Sequence, residues 1–235
     1  MSGGTMLRVD GLAKSFGRVK AVRDVGFSLD GGRITAMLGE NGAGKTTTLR
    51  MILGFLRPDG GRVFLGTARI GYVPEHPEFF PWLTGAEVLA LTARAAGLEA
   101  MRPAGIRTLC EQVLLDAELL ERRPATYSSG NAKKLAYLQS LAVGPELLIV
   151  DEPFAALDPP SIRRMRDLFG EWRKKGTAVL LSSHMLAEMD RLADDFLIMR
   201  KGQVAARSGL QEYRSRFLPG AAPDLEAIFM SLVRG

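Results

Sequence analysis

Residues Gly39-Glu40-Asn41-Gly42-Ala43-Gly44-Lys45-Thr46-Thr47 fit the pattern G-x-x-x-x-G-K-[ST], and their neighbours give the pattern its meaning. They follow an apolar, strand-like run, Ile34-Thr35-Ala36-Met37-Leu38, and open a helix-like run over 46–53. Glycines let the backbone curl so that successive N–H groups aim at phosphate oxygens, and the helix start adds its positive dipole end. In such a loop Lys45 neutralises the β- and γ-phosphates, and the Thr46 hydroxyl ligates Mg²⁺. The spacing predicts a site for ATP or GTP, and it confines the chain to folds in which a strand meets a helix through a phosphate-sized turn.

At 235 residues the chain is long enough for a substantial core, as one large domain or a domain with a subdomain. No run of eighteen apolar residues appears, so no transmembrane helix is predicted. The start, Met1-Ser2-Gly3-Gly4-Thr5, lacks the basic end and apolar core of a signal peptide. One cysteine, Cys110, excludes an internal disulfide and suits a reducing cytoplasm, where it reads as a small buried apolar residue. The net charge of +5 is spread over short clusters such as Lys133-Lys134, Arg163-Arg164 and Arg173-Lys174-Lys175, most of which helical spacing turns toward solvent. That dispersal favours a plain arginine-rich coding bias over attraction to nucleic acid, and leaves proximity to an anionic membrane face as a secondary reading.

Strands are expected over 6–9, 21–29 and 33–38, the last two joined by Asp30-Gly31-Gly32 as a hairpin, and then over 62–65 and 69–73. From 84 to 142 the chain is rich in Ala and Leu, with helical period. Alternation resumes with a strand over 147–150, a helix over 159–175, a strand over 178–181, a helix over 185–193 and a strand over 196–199 turned by Lys201-Gly202. Strand–helix alternation implies a parallel sheet covered on both faces. The expected architecture is α/β: a P-loop core over about 1–83 and 143–207, an N-terminal antiparallel β part, an inserted helical subdomain over about 84–142 and a short helical tail over about 208–235.

Two further clusters join the phosphate loop. The apolar strand Leu147-Leu148-Ile149-Val150 ends in Asp151-Glu152, which places two carboxylates at the carboxyl edge of a parallel sheet, where α/β proteins bind ligands. Asp151 can hold Mg²⁺, directly or through water, and Glu152 can take a proton from a water attacking the γ-phosphate. An acidic pair capping the next helix is the plain alternative, and the phosphate loop in the same chain argues against it. Leu180-Leu181-Ser182-Ser183-His184 delivers a histidine to the same edge, where a neutral imidazole can donate to the γ-phosphate. His76 lacks such company and reads as a loop residue.

In chain order, Gly39–Thr47, Tyr127-Ser128-Ser129-Gly130-Asn131, Asp151-Glu152-Pro153, Ala156-Leu157-Asp158-Pro159 and His184 resemble the nucleotide-binding subunit of an ABC transporter, over residues 12–202. One helix over 132–142 and a short turn fit between Ser128 and the acidic strand. The resemblance implies that the signature loop Ser128-Ser129-Gly130-Asn131 and Asp158 complete the site of a second copy, so that two ATP molecules are sandwiched in a head-to-tail dimer. It also implies that Phe16 stacks on adenine and that Glu75, where the family usually has glutamine, links Mg²⁺ to the helical subdomain.

Three departures stand out. Ser129 replaces a glycine and would restrict the backbone if that position needs positive φ. Glu75 adds a charge near the metal, and Ala155 lacks the hydroxyl of a common serine. Glu75, Tyr127 and the segment Asp224-Leu225-Glu226-Ala227-Ile228-Phe229 look more like subunits of ABC-2-type exporters than of solute importers. The resemblance therefore implies a cytoplasmic ATPase on the inner face of the cell membrane, driving a separate integral-membrane subunit. A soluble relative acting on ribosomes, nucleic acid or an assembly scaffold is the competing reading. An ordinary P-loop kinase is a further one, which the signature and Ala156-Leu157-Asp158 argue against.

Overall fold

Unbroken apolar runs become the centre of the molecule. In the computed structural model, which describes residues 4–67, 69–98 and 103–209 together with Leu225 and Phe229, β3 (Ile34–Leu38), β6 (Leu147–Asp151) and β7 (Ala178–Ser183) are buried at every residue. Strands buried on both faces belong in a parallel sheet between two layers. They occupy the middle of a six-stranded sheet in the order β5-β6-β7-β3-β8-β9, with β5 (Ile70–Val73) and β8 (Asp195–Arg200) parallel to them and β9 (Gln203–Gly209) antiparallel at one edge.

A second sheet, order β2-β1-β4, is antiparallel and is built from β1 (Thr5–Phe16), β2 (Val19–Asp30) and β4 (Gly60–Leu65). The expected hairpin at Asp30-Gly31-Gly32 does not form. β2 pairs with β1 through the tight turn at Gly17-Arg18, with Phe16 opposite Val19. The Gly31-Gly32 turn instead passes the chain from one sheet to the other, and the Gly32 amide donates to the Gly176 carbonyl at 2.8 Å. The reason is burial: a β3 buried at every residue would waste one face on a solvated hairpin.

Because side chains alternate along a strand, the large sheet feeds two cores. Met37, Ile149 and Leu180 pack with Leu7, Val9, Phe27 and Leu49, beneath the antiparallel sheet and α1 (Lys45–Ile52). Leu38, Leu148 and Leu181 pack on the opposite face against helices, including α5 (Pro159–Lys174) and α6 (Leu186–Leu192). That second cluster runs on without interruption into α2 (Gly85–Ala95), α3 (Pro103–Val113) and α4 (Ser129–Ala142), with two short 3₁₀ turns at Ala117–Glu121 and Pro124–Thr126.

Helix α2 starts at a capping box in which Thr84 Oγ1 accepts from the Glu87 amide while the Glu87 carboxylate accepts from the Thr84 amide. Helix α4 begins at Ser129, before the expected position 132, and is buried on most of its circumference. Its Lys133 and Lys134 are buried, against the expectation of a solvated basic pair. The Lys134 ammonium caps the end of α3 by donating to the Leu114 carbonyl at 2.9 Å. β9 follows the reversal at Lys201-Gly202, both residues at positive φ, and carries the sheet two residues past the expected core boundary at 207. Most of the expected tail lies outside the described residues, but Leu225 and Phe229, one helical turn apart, are buried in the helical-side core.

Candidate nucleotide-binding site

Parallel pairing brings the three chemical clusters to one edge. Leu38 lies opposite Ser183 and Asp151 opposite Ser182, so the phosphate loop, the acidic pair and His184 all leave the sheet from its carboxyl end. They enclose a cleft of about 330 Å³ walled by residues 40–47 of the loop, Glu75, Asp151, Glu152, His184 and, at the rim, Phe16. A larger hollow of about 560 Å³ lies at the amino ends of β6 and β7, beside Glu146 and Thr177, away from these groups.

Gly39, buried at the end of β3, leads into the loop, and Gly44 closes it at φ 102 with its Cα against the Ala21 carbonyl, so that a Cβ there would sit 2.6 Å from that oxygen. Only glycine meets both conditions. The Lys45 ammonium curls back to the Gly39 carbonyl at 2.6 Å and the Glu40 carbonyl at 3.3 Å. Burial pushes its pKa down, against the opposing pull of Glu152, Asp151 and Glu75. Thr46, in the first turn of α1, donates its hydroxyl to Asp151 Oδ2 at 2.9 Å. The other Asp151 oxygen accepts from the Ser182 hydroxyl.

Glu152 is buried and held at φ 49, an uncommon conformation for a side chain of this size. Its amide donates to the Ser182 carbonyl at 2.9 Å. One carboxylate oxygen accepts from Ser183 Oγ at 3.2 Å, and the other lies 2.9 Å from His184 Nδ1. With Nδ1 engaged, Nε2 is the ring nitrogen left for a ligand, and the imidazole is 61% exposed at the rim. A buried carboxylate oriented by a hydroxyl and an imidazole, facing a phosphate loop, can orient a water and accept its proton.

Phe16 is half exposed at the end of β1, with Lys14 Nζ 5.9 Å from its ring, so it is a rim aromatic and not a core one. Glu75 reaches the cleft from the loop after β5, its carboxylate 3.6 Å from His76 Nε2. The signature residues are elsewhere. Ser128 caps α4, its hydroxyl accepting from the Asn131 amide at 3.2 Å, and both Ser128 and Ser129 are exposed outside the cleft. Ser129 is helical, so the feared backbone restriction does not arise. Asp158, also exposed, caps α5 by accepting from the Ser161 amide at 2.8 Å.

The sequence reading missed Ser182 and Ser183 as ligands of the two acids, although two hydroxyls ending an apolar strand are a visible signal. It also missed Lys133, whose ammonium donates to the Pro74 carbonyl at 2.7 Å and the Asp151 carbonyl at 2.8 Å. Burial pushes Lys133 down to about 8, against the pull of Asp151, Glu75 and Glu152.

Known proteins resemble this chain in sequence and fold. The family described as "ABC transporter" matches residues 22–155. The ABC transporter ATP-binding protein YxlF of Bacillus subtilis is 37% identical over 90% of this chain and 73% of its own length. A solved ATP-binding subunit of an ABC transporter superposes with a TM-score of 0.88 at 32% identity, covering 97% of this chain and 99% of that one. The dimeric structure of the bacterial cassette MJ0796 has the same fold, with a TM-score of 0.80 at 20% identity over 87% of this chain and 98% of that one. The chain belongs to the ABC transporter family as an ATP-binding subunit, and it is an ATPase.

Proposed function

We propose that this chain is the motor subunit of an exporter: it closes head to tail on a second copy over two ATP molecules, hydrolyses them, and drives a separate integral-membrane subunit from the inner face of the cell membrane. The observation that carries the dimer is a division of labour. Residues 40–47, Asp151, Glu152 and His184 share one cleft, whereas Ser128, Ser129, Gly130, Asn131 and Asp158 are absent from its walls and lie at helix starts on the surface. Helix starts attract phosphate, so the exposed start of α4 is suited to a nucleotide held by another chain.

Within one cleft, Lys45 would exchange its two loop carbonyls for phosphate oxygens, and Phe16 would stack on the base. Glu152 would accept the proton of the attacking water as the new O–P bond forms and the bond to the β-phosphate oxygen breaks, and His184, turned off Glu152, would donate a ring N–H to the γ-phosphate. The Thr46 hydroxyl and Asp151 carboxylate, 2.9 Å apart, fit Mg²⁺, a hard cation that takes one or two protein oxygens and completes its shell with phosphate and water. Thr46 and Asp151 would hold it, with Glu75 at the rim, and it would offset charge developing on the phosphates.

Among the described residues no helix is long and apolar enough to cross a membrane, in keeping with a membrane subunit on another chain. Phe80 and Trp82 stack at 5.4 Å and are largely exposed just beyond Glu75, which supports docking where the helical segment meets that loop. Glu75, Tyr127 and the segment holding Leu225 and Phe229 support the exporter reading.

The test is Glu152→Gln. ATP hydrolysis should fall by at least about 10²-fold with nucleotide binding retained, and light scattering should show a dimer with ATP and a monomer without it. Tagged variant taken from detergent-solubilised cells with ATP should bring down a polytopic membrane protein. Full turnover would refute Glu152 as the base, and ribosomal or nucleic-acid components in place of a membrane protein would refute transport.

A further inference from the structure

We propose that Lys133 is a positioning residue for hydrolysis: its ammonium fixes the separation between the Pro74-Glu75 segment and the Asp151-Glu152 strand end, and supplies the positive charge that lets a carboxylate stand at position 75.

The argument starts from the β5–β6 ladder, whose last pair is Val73 with Val150. Beyond that pair the two strands part. The carbonyls of Pro74 and Asp151 stand where the two strands end, one just before Glu75 and the other just before Glu152. Orphaned carbonyls there would be costly. Lys133 reaches them from α4 and donates to both, at 2.7 and 2.8 Å, with the residue only 1% exposed. A single cation thereby ties α4 to two segments that lie 59 and 18 residues from Lys133 along the chain.

A neutral donor would satisfy the carbonyls equally well, so the charge needs its own reason. Burying an ammonium against neutral acceptors alone is unfavourable. Burial is the larger effect, and Asp151, Glu75 and Glu152 offset part of it. The relation is mutual. Three carboxylates around one cleft repel each other, and Lys133 with Lys45 supplies the opposing charge from the protein side. Glu75 is the carboxylate at the rim of the cleft, and Lys133 is the cation bonded to the residue immediately before it. Helix α4 also carries Ser128 at its cap, so the strut and the signature loop belong to one rigid element.

The inference rests on the proposed place of Glu75 at the metal-facing rim, and a double-mutant cycle separates the two. Wild type, Lys133→Met, Glu75→Gln and the double variant of the whole chain are compared for kcat, for KM of ATP with Mg²⁺, for the thermal midpoint and for affinity toward a fluorescent ATP analogue in EDTA. Lys133→Met should lower kcat by at least about tenfold, with KM and the metal-free nucleotide affinity changed less than about threefold. Adding Glu75→Gln should restore at least about threefold of the loss, since it removes the carboxylate left unbalanced.

Independent, multiplicative effects, or a lower midpoint with unchanged kcat, would overturn the proposal in favour of a purely structural tie. Should Lys133→Met fail to fold, Lys133→Gln keeps an N–H donor without the charge and enters the same cycle. Unchanged Mg²⁺ dependence of the Glu75→Gln variant would remove Glu75 as a metal ligand, and the coupling between the two substitutions would still decide Lys133.

Discussion

A methyl group at position 130 would stand 2.7 Å from the Ala156 carbonyl, far inside contact distance. Gly130 is therefore required by the approach of the loop before Asp158, whatever it does for phosphate. Gly130→Ala should cost about 1–3 kcal/mol of unfolding free energy as the two segments part, read from urea denaturation. The sequence placed glycine at 130 and serine at 129 but did not reveal which position was constrained, since the constraint comes from a neighbour 26 residues away in the chain. Asp151, Glu152 and His184 were legible because each ends a strand of recognisable type. Lys133 was not: a lysine on a helix looks solvated until Pro74 and Asp151, from distant segments, are seen to leave their carbonyls for it.

Helix α4 connects the signature loop to the sheet, and its middle is anchored by Tyr137, a fully buried side chain whose hydroxyl donates to the Pro153 carbonyl at 2.8 Å. Removing that hydroxyl leaves the carbonyl with no partner in an apolar setting. Tyr137→Phe should lower stability by about 1 kcal/mol with the fold intact. The start of α2 is a separate joint, and Thr84→Ala should cost about 1 kcal/mol through loss of the capping box. Elements built on continuous apolar runs, β3, β6 and β7, were readable because such runs demand burial on both faces. The pairing of β2 was not, because Gly31-Gly32 makes a turn without stating what the turn joins. β9 escaped because Gln203-Val204-Ala205-Ala206-Arg207 is a weakly patterned edge strand that needs burial on little of its length.

Two cores meet at the six-stranded sheet, and the helical one extends from Leu225 and Phe229 through α5 to Cys110 on α3. Cys110 is 1% exposed, and burial pushes its thiol up, so it should resist alkylation at neutral pH. Its modification rate should rise only with opening of the helical layer, so alkylation followed by mass spectrometry against denaturant would report that opening. Rapid labelling in native buffer would contradict the packing of α3. The α/β class and the parallel sheet were legible in the alternation of segments, whereas the unbroken joining of the helical segment to the sheet's core was not. Glu152 carries one more consequence. A non-glycine residue at φ 49 costs about 1–2 kcal/mol, and this one also keeps a carboxylate out of water. A library randomised at position 152 and ranked by survival of heating alone should enrich glycine, and sequencing before and after the challenge would show it. Durability and turnover thus compete at a single residue, and a heat-hardened descendant of this protein would have given up its chemistry first.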